Sequence, residues 1–425
     1  MTYRGKFLVA IVSAIIAFYA LSGFVFRMME ANAQQPINDA GAQLRIFESV
    51  LQHIENDYVD EPNLAKVKTG ALKGLAYGLD PYSSYLTPEQ VQSYEKNNGK
   101  SGAGIGADFS QFSYLYTVSV IPGSPADKAG LKIGDSIEYI DDHATRDYSL
   151  YDSRQFINGA KGSTVKLRVL RAGEKPLTIS VVRGDFQIPA ATGEVKDGVG
   201  IVKVFSLQPG QAETARNQIK ALKGRGVDKI VLDLRNVSGG DINEGVSLAN
   251  AVVKTGTLAK IVGKQNAVVK SFSADPSKFI YDGKLAVLTD FSTSDAAEVV
   301  AAAVETAKRG EVVGERTFGA GSDQKLFPLR EGDGLLLTVE KWTSPEGVAF
   351  MADKRTDSGV KPTVEVKHPD TPTPIEDTDT NGDDNEDETP VDDKQDTTKT
   401  KSTEEDLQMK KAIEILNSSA KAAAA

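Results

Sequence analysis

Between residues 195 and 366, short apolar runs alternate with helical stretches. Strands are predicted at 199–204, 229–234, 285–289 and 311–314, and helices at 209–222, 244–253 and 296–308. Val231-Leu-Asp-Leu234 and Leu285-Ala-Val-Leu288 read as strands buried on both faces, which is the pattern of a parallel sheet covered by helices. Residues 335–340 add a late strand. The alternation therefore predicts an α/β core over residues 190–367.

Two other regions precede it. Residues 99–185 carry β-rich runs at 116–121, 136–140, 164–170 and 177–182, with Gly between them and one helix near 150–158. This reads as a compact, mostly β domain. Residues 40–97 read as helical, because Leu44, Phe47, Leu51 and Ile54 recur at helical spacing. A second helix ends before Asp80-Pro81, and Thr87-Pro88 opens a third as N-cap and first residue. The expected fold class is α+β and multidomain: a helical N-terminal segment, a β domain and an α/β core.

The ends of the chain are different material. Arg4 and Lys6 precede an apolar run over residues 7–26, long enough to span about 30 Å of hydrocarbon. Ala31-Asn32-Ala33 resembles a small-residue cleavage site. Residues 1–33 are read as a signal or anchor helix that carries the body across the cytoplasmic membrane, to the periplasmic or extracytoplasmic side. Residues 368–404 are a low-complexity acidic segment, expected to be disordered. Of the formal net charge of −10, residues 370–405 contribute −11, from 14 acidic residues and 3 lysines. The body is thus nearly neutral, which argues against nucleic acid as a partner. Residues 405–417 are amphipathic and are expected to form a C-terminal helix. With no Cys and only 3 His, a cysteine nucleophile, a disulfide framework and a metal site are not expected. No cofactor is implied. Gly99-Lys100-Ser101 ends like a phosphate loop, but the glycine required five residues earlier is Tyr94.

The motifs carry the functional reading. Residues 119–142, from Ser119-Val-Ile-Pro-Gly to Tyr139-Ile-Asp-Asp142, resemble a PDZ domain of the bacterial exported-protease type. In such a domain Gly104-Ile105-Gly106-Ala107 would be the loop whose N–H groups bind a peptide C-terminus. Asp80-Pro-Tyr-Ser-Ser-Tyr-Leu-Thr-Pro88, Asp233-Leu-Arg-Asn-Val-Ser-Gly-Gly240, Thr317–Gln324 and Ser358–Val366 follow in the order found in tail-specific, or C-terminal processing, serine peptidases. The chain resembles that family from about residue 40 to 366.

The resemblance implies a Ser–Lys dyad, a Gln that orients the Lys, and an oxyanion hole with donors among Gly239, Gly240 and Ala296. Here the nucleophile's turn reads Phe291-Ser-Thr-Ser-Asp-Ala-Ala-Glu298, which puts Asp295 at the serine position. The lysine position holds Ala320, while Gln324 is retained. The family's Pro before Gly-Gly is Ser238. At a helix start, the Asp295 carboxylate is expected to accept N–H bonds and favour the dipole. Ser294 is the fallback nucleophile, one position and about 100° away from Asp295.

The expectation is a homologue without proteolytic activity that binds protein C-termini or unfolded polypeptide. Second comes an active endopeptidase with a displaced dyad. Third comes a regulatory subunit paired with an active homologous peptidase.

Overall fold

The computed structural model describes residues 40–96, 104–367 and 406–418. The anchor reading (1–33), the Gly99-Lys100-Ser101 decoy, His368 and the acidic segment (368–404) lie outside the described residues. Among the described residues, no helix is long and apolar enough to cross a membrane.

The chain divides into two units at Gly70. In the first, α1 (Ala40–Asp57) displays Leu44, Phe47, Val50 and Leu51 on its surface, each more than 40% exposed. Helix α2 (Leu64–Tyr77) runs across the division.

The second unit contains everything from Ala71 onward. After α2 comes a short strand, β1 (Ser84–Leu86), and then α3 (Pro88–Lys96). The reading of 80–88 as turn and helix start missed β1, because three residues give no periodicity. The strand exists through pairing, with Ser84, Tyr85 and Leu86 opposite Leu336, Leu335 and Gly334. Asp80 sets this up. Its carboxylate accepts the N–H groups of Tyr82 (2.8 Å) and Ser83 (2.9 Å) and the hydroxyls of Ser83 and Thr338. The turn and the distant strand are thereby tied together.

The β domain follows: β2 (Ala107–Gln111), β3 (Leu115–Val120), α4 (Pro125–Ala129), β4 (Ser136–Ile140), β5 (His143–Ala144), α5 (Leu150–Ile157), β6 (Thr164–Leu170) and β7 (Leu177–Val182). The sheet order is β2-β3-β4-β6-β7, with β5 beside β4. Ile137, Leu115, Val165 and Leu167 are fully buried at its centre. In β6 the burial alternates residue by residue, as expected of a sheet with one wet face. Strand β2 is an edge.

The core begins with β8 (Thr192–Lys196), β9 (Val199–Lys203), α6 (Gln211–Gly224), β10 (Lys229–Asp233), α7 (Ile242–Val252), β11 (Thr257–Val262), β12 (Val268–Ser273) and β13 (Lys284–Thr289). It continues with α8 (Ala296–Thr306), β14 (Glu311–Gly314), β15 (Ser322–Pro328), β16 (Gly334–Thr343), β17 (Val364–Glu365) and α9 (Leu407–Ser418). The main sheet runs β17-β14-β13-β10-β9-β8, parallel except for β8. Helices α6, α7 and α8 bury one face. Helix α9 covers the other, with Ala412 and Leu416 against Val231, Ala286, Leu288 and Val313. A second sheet, β1-β16-β11-β12 with β15 on β16, supplies Ser322 and Gln324 to the site.

Candidate functional site

Strand β13 ends at Thr289, and α8 begins at Ala296. The turn between them is built by its own side chains. Asp290 accepts the N–H of Ser292 (3.0 Å), the hydroxyl of Thr293 (2.9 Å) and the N–H of Asn236 (3.1 Å). Thr293 donates its hydroxyl to the Leu234 carbonyl at the end of β10 (3.0 Å). This clamps the turn to the neighbouring strand end. Asp295 then sits at φ 53°, ψ −115°, a backbone conformation that side-chain-bearing residues rarely adopt. A strained strand-to-helix turn of this kind projects one side chain over the strand ends, as the elbow of serine hydrolases does.

The Asp295 carboxylate is tightly engaged. Oδ2 accepts the Gly239 N–H (3.1 Å) and the Ser294 hydroxyl (2.7 Å), and Oδ1 accepts the Gly321 N–H (3.0 Å). Asp295 is the N-cap of α8, in a capping box with Glu298, and its carboxylate reaches beyond the helix as well. The N–H groups of Gly239 and Gly321 come from the loops after β10 and before β15, and Glu298 accepts the Asp295 N–H at 2.8 Å. Burial, and after it the Asp108 carboxylate, push Asp295 above the usual carboxylate range, against the pull of its three hydrogen bonds.

Glu298 is fully buried and holds the opposite loop. It accepts the Thr317 hydroxyl (2.5 Å) and the N–H groups of Gly319 (2.8 Å) and Ala320 (2.9 Å). Burial raises it to about 7. Ala320 itself is 2% exposed and packs with Tyr116, Val118 and Phe318. Arg355 stacks over the Phe318 ring at 4.2 Å and the Phe291 ring at 4.6 Å. The position aligned with a basic amine is thus part of an aromatic cluster.

The remaining residues singled out in the sequence fall as follows. Gly239 (φ 66°) gives its N–H to Asp295. Gly240 (φ 97°) has no room for a side chain, since a Cβ would lie 2.5 Å from the Leu207 carbonyl oxygen. The Ala296 N–H faces the Gly239 carbonyl at 3.4 Å and not an open hole. Ser294 is 1% exposed and does not line the cavity; its hydroxyl is donated to Asp295. Gln324 lies on β15 and donates its amide N–H to Ser322 (2.9 Å) and Thr338 (3.3 Å). In the β domain, Gly106 (φ 80°) leaves no space for a Cβ beside Ser124. The carbonyls of Ile105 and Gly106 are taken by Ala126 and Ile121, and among the described residues no acceptor takes their N–H groups. Elsewhere in the β domain, His143 stacks on Phe156 at 4.0 Å.

A cavity of about 570 Å³ joins these places. It reaches from Gly104, Ile105, Gly106 and Ala107 to Gly239, Asp295 and Gln324. Asp108, Arg154, Ser119 and Ser238 also line it, and none of them was a site candidate in the sequence. Asp108 accepts Arg154 (3.0 Å) on one oxygen and the Ser238 hydroxyl (3.0 Å) on the other. Ser238 also bonds Ser119. Arg154 donates in addition to the Phe109 carbonyl (3.0 Å) on the outer edge of β2. Asp108 follows directly on the Gly104–Ala107 loop, and Ser238 was visible as a departure from Pro. Their meeting across 130 residues left no local trace. Among the described residues, no cluster of His, Asp and Glu is arranged to hold a metal ion.

An elbow at a parallel-sheet strand end, facing the groove of a β domain inserted before that sheet, defines a peptidase-like class. Comparison with known proteins agrees. Residues 198–366 match the model of peptidase family S41, and residues 116–171 match that of the PDZ domain. The chain is 28% identical to the carboxy-terminal processing protease CtpA of Bacillus subtilis, over 86% of this chain and 77% of that one. It is 29% identical to a probable CtpA-like serine protease of Staphylococcus haemolyticus, over 73% of this chain and 63% of that one. A solved photosystem II D1 C-terminal processing protease superposes with a TM-score of 0.63 at 28% identity, covering 76% of this chain and 86% of that one. The chain belongs to the tail-specific, C-terminal processing peptidase family.

Proposed function

We propose that this chain binds the C-termini or unfolded segments of other polypeptides through its PDZ domain and does not hydrolyse them. One observation carries the reading: the elbow side chain is a carboxylate already bonded to the Gly239 and Gly321 N–H groups. An ionised carboxylate is a poor nucleophile toward an amide. It also puts negative charge on a donor that would otherwise stabilise a developing oxyanion. With Ala320 packed among aromatic rings, no amine at that position can take a proton. Ser294 does not rescue the chemistry, since its hydroxyl is buried and turned toward Asp295.

Binding has its own support. Strand β2 is a sheet edge, and the Ile105 and Gly106 N–H groups border the cavity, so a peptide can add as a strand with its carboxylate on the loop. The sequence boundaries divide the labour: residues 99–185 bind, 190–367 form the scaffold, and 1–33 place the body outside the cytoplasmic membrane. Fluorescence anisotropy tests the binding. A 16-residue unstructured peptide with a free C-terminal carboxylate is expected to bind at least tenfold tighter than its C-terminal amide. Equal affinities would count against C-terminus recognition.

A further inference from the structure

The cavity has an electrostatic imbalance that the packing does not relieve. Its charged lining residues are Asp108, Asp295 and Arg154. Arg154 is spent on Asp108 and on the Phe109 carbonyl. Asp295 therefore faces the cavity with hydrogen-bond donors but no counter-charge of its own.

A second acceptor points the same way. Both hydrogen bonds of the Gln324 side chain are made by its amide nitrogen, to Ser322 and Thr338. Its carbonyl oxygen has no partner among the described residues, and Gln324 lines the cavity together with Asp295. An unused amide carbonyl and an uncompensated carboxylate lining one cavity call for a cationic donor. Phe186, Phe205 and Ile121 line the same space and offer apolar surface to an alkyl stem.

We propose that this cavity receives a primary ammonium group, the side chain of a lysine in a bound unfolded polypeptide, with Asp295 and the Gln324 carbonyl as its acceptors. The inference deepens the polypeptide-binding reading and rests on it. Lysine is preferred over arginine on geometry. Oδ1 of Asp295 is held by Gly321, and Oδ2 by Gly239 and Ser294. Little of the carboxylate is left for the two parallel bonds of a guanidinium, whereas a compact ammonium needs one open lone pair and a second acceptor nearby. A carboxylate-bearing side chain meets repulsion from both Asp108 and Asp295.

The test uses the full chain in detergent micelles and fluorescein-labelled 16-residue peptides of Ala, Ser and Gly. Each carries one central lysine, norleucine or arginine. The readout is the ratio of the norleucine Kd to the lysine Kd. The expected ratio is about ten, with arginine falling between the two. Asp295→Asn is expected to bring the ratio close to one, and Gln324→Met to lower it severalfold. Attraction of the lysine peptide to the acidic segment is the same in these variants and cannot produce the loss. Equal lysine and norleucine affinities in the unaltered chain, with both peptides bound, overturn the ammonium site and leave polypeptide binding standing. Failure of every peptide to bind overturns the polypeptide reading, and the ammonium site with it. If Asp295→Asn does not fold, the Gln324→Met ratio decides, and an undiminished ratio overturns the proposal.

Discussion

Glu298 shows what a single buried carboxylate does here. It accepts four donors and joins the start of α8 to the 317–320 loop. Its folded value of about 7 lies above the 4.5 of a free glutamate. A raised carboxyl binds its proton more tightly in the folded state. Its stabilising contribution is therefore complete below about pH 4.5 and is lost as pH rises through about 7, by roughly 3 kcal/mol. Glu298→Gln should remove this slope, so that the difference in melting temperature between the parent and the variant shrinks from pH 4.5 to 7.5. A constant difference would show that Glu298 does not change protonation in this range. Ala320 makes a second residue-scale prediction. Ala320→Lys must bring an ammonium into the Tyr116–Phe318 cluster and should cost about 2–4 kcal/mol in urea unfolding. Unchanged stability would reveal an open path for an amine at this position.

At the scale of elements, α9 is held by charge as well as by packing. Arg235 bonds Asp233 (2.8 Å) and Asp406 (2.9 Å), and Gln408 donates to the Val366 carbonyl (2.9 Å). Burial works against the Asp233 charge, but Lys203 and Arg235 outweigh it and keep that carboxyl below its usual range. Arg235→Ala should cost about 3 kcal/mol and release α9 from the sheet. Hydrogen exchange would report this as lost protection over Leu407–Ser418; retained protection there would mean that the apolar contacts alone hold the helix.

The same scale shows which elements were legible. Strands β10 and β13 stand out because both faces are apolar and their runs are bounded by turns. Of the segments left unassigned, β11 is mostly buried, and β8, β12 and β15 are polar or wet. Strand β8 is mostly exposed, β12 exposes Val268 and Val269, and β15 alternates Lys325 and Phe327 outward with Gln324 and Leu326. Pairing, and not side-chain pattern, makes these strands. Asp295 and Ala320 could be located because each lies a fixed number of residues from Glu298 or Gln324. Asp108, Arg154 and Gly321 could not, since what matters about them is a contact made by folding.

For the molecule as a whole, the β domain and the core share one cavity, and they touch both at the Tyr116–Phe318 cluster and at Ser238. Its hydroxyl meets Ser119 and Asp108, contacts that the proline usual in the family could not make. The proposed function rests on a PDZ groove leading to an elbow whose side chain is a carboxylate and not a nucleophile. The most direct measurement of that claim is incubation of the full chain with an unstructured protein, followed by mass spectrometry for new C-termini. The account predicts intact substrate, with the unaltered chain and Ser294→Ala indistinguishable. Fragments that form with the unaltered chain and vanish in Ser294→Ala would contradict it.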